Sequence, residues 1–206
     1  MAKKKVTFGN LLEPALALIE FDSIAAGIHA ADAMIKRAPI YLIKTGTVQP
    51  GKYLVLIGGE VADVEESLAE GRDLGGSHII DYVYLPQVHR EVVSSIGGGR
   101  VPEKTDALGV IETKTVAAAI HAADAGIKGA EVRLLEVRLA DGLGGKGIVL
   151  FSGLVADVEA AIEIGVGALE NRDLLVWEIV IPQLHEEMWN NLGDATRFRT
   201  RVIDKL

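Results

Sequence analysis

The residues best suited to chemistry are a glycine-rich loop and four histidines. Gly142-Leu143-Gly144-Gly145-Lys146-Gly147 satisfies a G-x-G-x-x-G spacing with a lysine inside it. Such a loop holds phosphate when it joins a strand to a helix, because the first helical amides and the helix dipole face the anion. Here the flanking runs both read as strands, and Lys146 is followed by glycine rather than the hydroxyl residue that would reach a magnesium ion. A nucleotide site is therefore not expected. His29 with Asp32, and His121 with Asp124, have the i, i+3 spacing that can offer two ligands to one metal. No third ligand is evident, so a polar helix face is the simpler reading. His89 and His185 each follow Pro-Gln-x, where a neutral imidazole can pack or cap. None of the four stands beside a nucleophile in an acid–base setting. No catalytic residue, metal site or cofactor is expected.

The same residues lie in a repeat. Ile28-His29-Ala30-Ala31-Asp32-Ala33 recurs letter for letter at Ile120–Ala125, 92 positions on. Val61–Glu65 recurs at Val155–Glu159 after 94, and Pro86-Gln87-x-His89 at Pro182-Gln183-x-His185 after 96. A unit this long, with short insertions in its second copy, is a small domain with its own core rather than a solenoid repeat.

Composition narrows the function further. A formal charge of −8 over 206 residues disfavours nucleic acid and anionic membrane as partners. The absence of cysteine removes disulfides and thiolate chemistry. Lys3-Lys4-Lys5 is followed by no long apolar run, and no stretch is apolar enough to span a bilayer. A cytoplasmic location is expected. A hydrophobic share of 49% is high for two small domains, which points to apolar surface reserved for an interface.

Each repeat reads β-α-β-β-α-β-α, an α+β layer with helices on one face of a mostly antiparallel sheet. In the first, a strand over 17–21 precedes a helix capped by Ser23, whose stripe is Ile24, Ile28, Ala31 and Ile35, and which Pro39 ends. Strands over 40–43 and 53–57 flank a turn-rich 45–51; a second helix, a fourth strand and a helix opened by Pro86 follow. The expected division is an extension at 1–16, domains at 17–96 and 107–193, a glycine-rich linker at 97–106 and a basic tail at 194–206.

These motifs resemble the bacterial microcompartment (BMC) shell-protein domain. The likeness is carried by Ala30–Ala38, Gln49–Gly51, Val61–Glu65 and Leu85–His89, and again by Ala122–Ala130, Gly142–Gly145, Val155–Glu159 and Ile181–His185. It implies two tandem, ferredoxin-like BMC domains and a homotrimer acting as a pseudohexamer, which assembles laterally with other shell proteins. Thr47–Lys52 and Glu186–Trp189 are most similar to the propanediol-utilisation type, which has an iron–sulfur cysteine where this chain has Gln49. The resemblance further implies that Val48, Gln49, Pro50 and Gly51, with Ala140, Asp141, Gly142, Leu143 and Gly144, line a pore for small metabolites. Lys36, Lys128, Gln87, His89, Gln183 and His185 fall where that family places edge residues between tiles. The alternative is a ferredoxin-like trimer that binds a small regulatory ligand in subunit clefts.

Overall fold

A computed structural model describes residues 15–96 and 105–193. The expected tail, most of the linker and all but the last two residues of the expected extension lie outside them. The chain runs β1 (Ala15–Phe21), α1 (Ile24–Arg37), β2 (Leu42–Val48), β3 (Lys52–Gly59), α2 (Val61–Gly75), β4 (Ile79–Leu85) and α3 (Arg90–Ile96). The second repeat follows with β5 (Ala107–Thr113), α4 (Val116–Gly129), β6 (Arg133–Leu139), β7 (Gly147–Gly153), α5 (Val155–Gly167), β8 (Leu175–Pro182) and α6 (Glu186–Gly193). Each repeat forms its own four-stranded sheet, in the order β2-β3-β1-β4 and β6-β7-β5-β8. Every pairing in both is antiparallel. The expected element order and α+β class therefore hold.

Helix starts follow their caps. The Ser23 hydroxyl accepts the Ala26 N–H at 3.3 Å, and Thr115 accepts the Ala118 N–H at the same distance. Lys36 and Arg37 fill the last turn of α1, where cations complement the dipole, and Pro39 prevents further winding.

All seven residues of β1 are buried, so this strand is covered on both faces. Ala17, Ile19 and Phe21 meet Ala30, Met34, Val64 and Leu68 of α1 and α2. Leu16 and Leu18 join Val88 and Val92, at and before α3, on the opposite face. Placing all helices on one face is thus corrected: the third helix of each repeat lies behind the sheet. The unalternated apolar run Ala-Leu-Ala-Leu-Ile is what requires cover on both sides.

Helix pairs pack through small residues. A Cβ on Gly71 of α2 would come within 2.4 Å of Met34 Sδ in α1. In the second repeat the fit is backbone to backbone. A Cβ on Gly126 would stand 2.9 Å from the Ala161 carbonyl, and one on Gly165 2.8 Å from that of Ala122.

Several boundaries differ from expectation: β1 begins at Ala15, inside the expected extension, and β2 at Leu42 rather than Ile40. β2 continues to Val48 through the residues read as a turn, because Lys44, Thr45, Gly46 and Thr47 pair with Leu56, Val55, Leu54 and Tyr53. The short helices start at Arg90 and Glu186, not at the prolines. Pro86 and Pro182 instead lead into a short turn, after which His89 and His185 act as caps. Each Nδ1 accepts the amide two residues on, from Glu91 and Glu187, at 3.3 Å.

Candidate functional site: hairpin loops and docking faces

The β2–β3 hairpin turns tightly over Gln49-Pro50-Gly51, with a cis Gln49–Pro50 bond and Gly51 at φ 104°. Its counterpart between β6 and β7 is longer. Ala140, Gly142, Gly144 and Gly145 all have positive φ, between 50° and 86°. Three of the four are glycines, which take this conformation without a Cβ clash. The G-x-G-x-x-G spacing thus serves a hairpin between two strands rather than a strand-to-helix turn. The two loops touch. A Cβ on Gly145 would lie 2.9 Å from Pro50 Cδ and 3.1 Å from the Gln49 carbonyl. The structure therefore brings the two hairpin turns together at Gln49, Pro50 and Gly145.

Lys52 ties this cluster to the seam between the repeats. Its Nζ donates to the Gly145 carbonyl at 3.2 Å and to Glu20 Oε2 at 3.0 Å. Glu20 is fully buried and its Oε1 accepts the Ala117 N–H at 2.8 Å, in the first turn of α4. Burial pushes this carboxyl above its ordinary value of 4.5, against the opposing pull of Lys52 and the Ala117 amide. Beside it, the Thr115 hydroxyl donates to Asp81 Oδ2 at 2.5 Å. Two carboxylates from the first repeat thus meet the positive end of α4.

The other end of the seam holds three of the expected edge residues. The His89 amide donates to Asp124 Oδ1 at 2.8 Å, Lys128 pairs with Asp124 Oδ2 at 2.5 Å, and Lys128 also donates to the Gln87 carbonyl. Glu91 Oε2 accepts the Leu134 N–H of β6 at 2.9 Å. The matching set in the other copies is not brought together. Among the described residues Lys36 pairs only with Asp32 of its own helix, at 2.5 Å, while Gln183 and His185 lie exposed on the second repeat.

Between these contacts a cleft of about 390 Å³ opens along the seam, lined by Arg72, Asp81, Tyr82, Ala117, Ala118 and His121 among others. Arg72 lies over the Tyr82 ring, 4.0 Å from its centroid. Nearby, burial and the charge of Glu65 raise the Tyr84 phenol. Among the described residues no group of three His, Asp or Glu side chains is placed to hold a metal. Nor is any described helix long and apolar enough to cross a membrane.

This architecture can be compared with known proteins. The BMC domain model matches residues 15–88 and again 107–184. The chain belongs to the BMC-domain family, and carries the domain twice. It is similar to the bacterial microcompartment shell protein PduT of Citrobacter freundii, 38% identical over 184 residues, covering 89% of this chain and all of that one. The major carboxysome shell protein CsoS1A of Halothiobacillus neapolitanus is 42% identical over 90 residues. That match covers 43% of this chain, about one repeat, and 90% of the relative. Among solved structures, a microcompartments protein from Desulfitobacterium hafniense superposes with a TM-score of 0.76 at 40% identity, covering 86% of this BMC chain and 99% of the other.

Reading the sequence missed Glu20, Asp81, Glu91 and Thr115 as seam residues. One signal for Glu20 was present: it is the single charge in an apolar strand, and Ile19-Glu20 recurs as Ile111-Glu112. Asp81 had no such signal, since Trp177 stands at its counterpart in the second repeat.

Proposed function

We propose that the protein is a structural shell protein of a bacterial microcompartment, in the bacterial cytoplasm, with no catalytic role. In this reading three chains close into a pseudohexameric tile. The touching hairpins of each chain meet around the three-fold axis and line a pore for small metabolites. Tiles join other shell proteins along edges that carry Lys36, Lys128, Gln87, His89, Gln183 and His185.

One observation carries the reading. α1 and α4 share the same Ile-His-Ala-Ala-Asp-Ala core, yet Ile28 is 53% exposed and Ile120 is 0% exposed. The same contrast separates Ile24 from Val116 and Ile35 from Ile127. α4 is covered by the first repeat of its own chain, whereas no described residue covers the matching face of α1. The complementary surface is bare too. Val83 and Val92 are buried, while Ile179 and Met188 at the matching places in the second repeat are exposed. Each chain thus has one used and one unused half of a single kind of contact, which makes a head-to-tail, heterologous assembly. Such an assembly closes when the rotation per chain divides a full turn, and the six-domain tile of this family requires three.

Sedimentation tests this. The expected species has three times the 21.9 kDa chain mass, and Ile28→Asp should return it to single chains without unfolding. Electron micrographs of the native protein should show sheets or tubes. A native chain that stays monomeric at micromolar concentration contradicts the reading.

A further inference from the structure

The seam inside one chain and the contact proposed between chains should share a register but differ in chemistry at one point. Across β1 and β4, Glu20 pairs with Asp81 and the register shifts immediately after Glu20. Across β5 and β8, Glu112 pairs with Trp177 and the register shifts immediately after Glu112. Cross-strand neighbours project from the same side of a sheet. Glu20 and Asp81 both reach the start of α4, so Glu112 and Trp177 are aimed where the start of a second copy's α1 would lie. Glu112 already has the kind of partner that Glu20 has, since Lys146 Nζ stands 2.6 Å from its Oε1 and Lys52 Nζ 3.0 Å from Glu20 Oε2.

Trp177 is the departure. It is 67% exposed, the most exposed of the chain's large hydrophobic side chains among the described residues. Where Asp81 takes a hydrogen bond from Thr115, an indole has no acceptor to offer Ser23. It does have area to cover Ile24 and Ile28. One other position of the wall also loses its charge. Arg72, which lines the cleft inside the chain, corresponds to Val166 in the second repeat. At these two positions Arg72 and Asp81 give way to Val166, buried in the core of the second repeat, and to the exposed Trp177, while Tyr82 next to Asp81 gives way to Glu178.

We infer that Trp177 fills, against the first helix of a second copy, the counterpart of the cleft that stays open between the two repeats of one chain. The inference rests on the ring proposed above. In the closed tile, open and indole-filled clefts alternate, so pseudo-six-fold symmetry is broken to three-fold in chemistry as well as connectivity. Trp177 is then the central aromatic anchor of the chain–chain contact, the kind of residue on which interface energy concentrates.

The chain has two tryptophans, so Trp189→Phe leaves Trp177 as the only indole. In that variant, assembled Trp177 should emit at shorter wavelength, with an acrylamide quenching constant severalfold below that of the same chain carrying Ile28→Asp. Trp177→Ala should raise the dissociation midpoint at least about tenfold. A chain without cysteine also permits an independent test that keeps Trp189. Ser23→Cys with Trp177→Cys should oxidise into crosslinked dimers and trimers on a denaturing gel, while Asp81→Cys with Thr115→Cys should crosslink within one chain. A trimer by sedimentation in which Trp177 stays fully quenchable, or whose paired cysteines fail to crosslink chains, overturns the inference and leaves the ring standing. A native chain that never leaves the monomer overturns both.

Discussion

Lys52 Nζ stands 3.0 Å from Glu20 Oε2, and this one pair joins three parts of the molecule. The ammonium also holds the Gly145 carbonyl in the second hairpin, and the carboxylate also holds the Ala117 amide in α4. Strand, hairpin and helix of different repeats are thereby fixed in one arrangement. Removing either charge leaves the other largely out of water and unpaired, which is costlier than losing an exposed pair.

The raised pKa of Glu20 has a definite sign in stability. Its folded value lies above the ordinary 4.5, so in that window the folded chain binds the proton more readily than the unfolded chain does. Stability contributed by this group therefore falls as pH rises from 4.5 through the folded value, and the penalty is complete above it. Glu20→Gln should flatten that part of the profile. Urea midpoints measured across the window, in the Ile28→Asp background that keeps chains apart, check it. An unchanged slope rules out Glu20 as its source.

The crossing of α4 and α5 should tolerate no side chain at Gly126. A methyl there meets the Phe151 ring at 2.6 Å and the Ala161 carbonyl at 2.9 Å. Gly126→Ala should cost about 1–3 kcal/mol, as overpacking does. Gly167 ends α5 with nothing within 4 Å of an added Cβ, and Gly167→Ala should be neutral or stabilising by up to about 1 kcal/mol. Denaturant titration of both variants gives the comparison.

Gln49 gives a chemical reading of the pore. In the proposed ring three Gln49 side chains approach the axis, and neutral amides are poor ligands for iron–sulfur clusters, which take thiolates. Gln49→Cys, reconstituted anaerobically with iron and sulfide, should bind one cluster per three chains and turn brown. A trimeric variant that stays colourless places residue 49 away from the axis.

The edge lysine Lys36 should matter between tiles more than within them. Lys36 and Asp32 form a pair with side chains 73% and 59% exposed, a setting in which ion pairs contribute about 0–1 kcal/mol. Lys128, which also ties Gln87 to Asp124 inside the chain, is left in place. Lys36→Ala should keep the sedimentation of the closed ring and abolish sheets in micrographs. Normal tiling by this variant removes Lys36 from the edge.

What the linear sequence determined is what depends on local pattern and on repetition. The recurrence of Ile28–Ala33 at Ile120–Ala125 established two domains of one kind, and capping by Ser23 and Thr115 with the stop at Pro39 placed the helices. The glycines of the second hairpin announced a turn, because only that backbone accepts repeated positive φ cheaply. The tertiary structure alone decided which copy of each shared residue is used. Ile28 and Ile120 are the same residue in the same hexapeptide, and only the placement of the first repeat over α4 buries one and leaves the other in water. The same holds for Lys36 and Lys128, of which only the second finds Gln87. Local physics is identical for the two copies, so no window of sequence can separate them. The difference arises from long-range packing between repeats, which a chain with one covalent connection can satisfy on one side only.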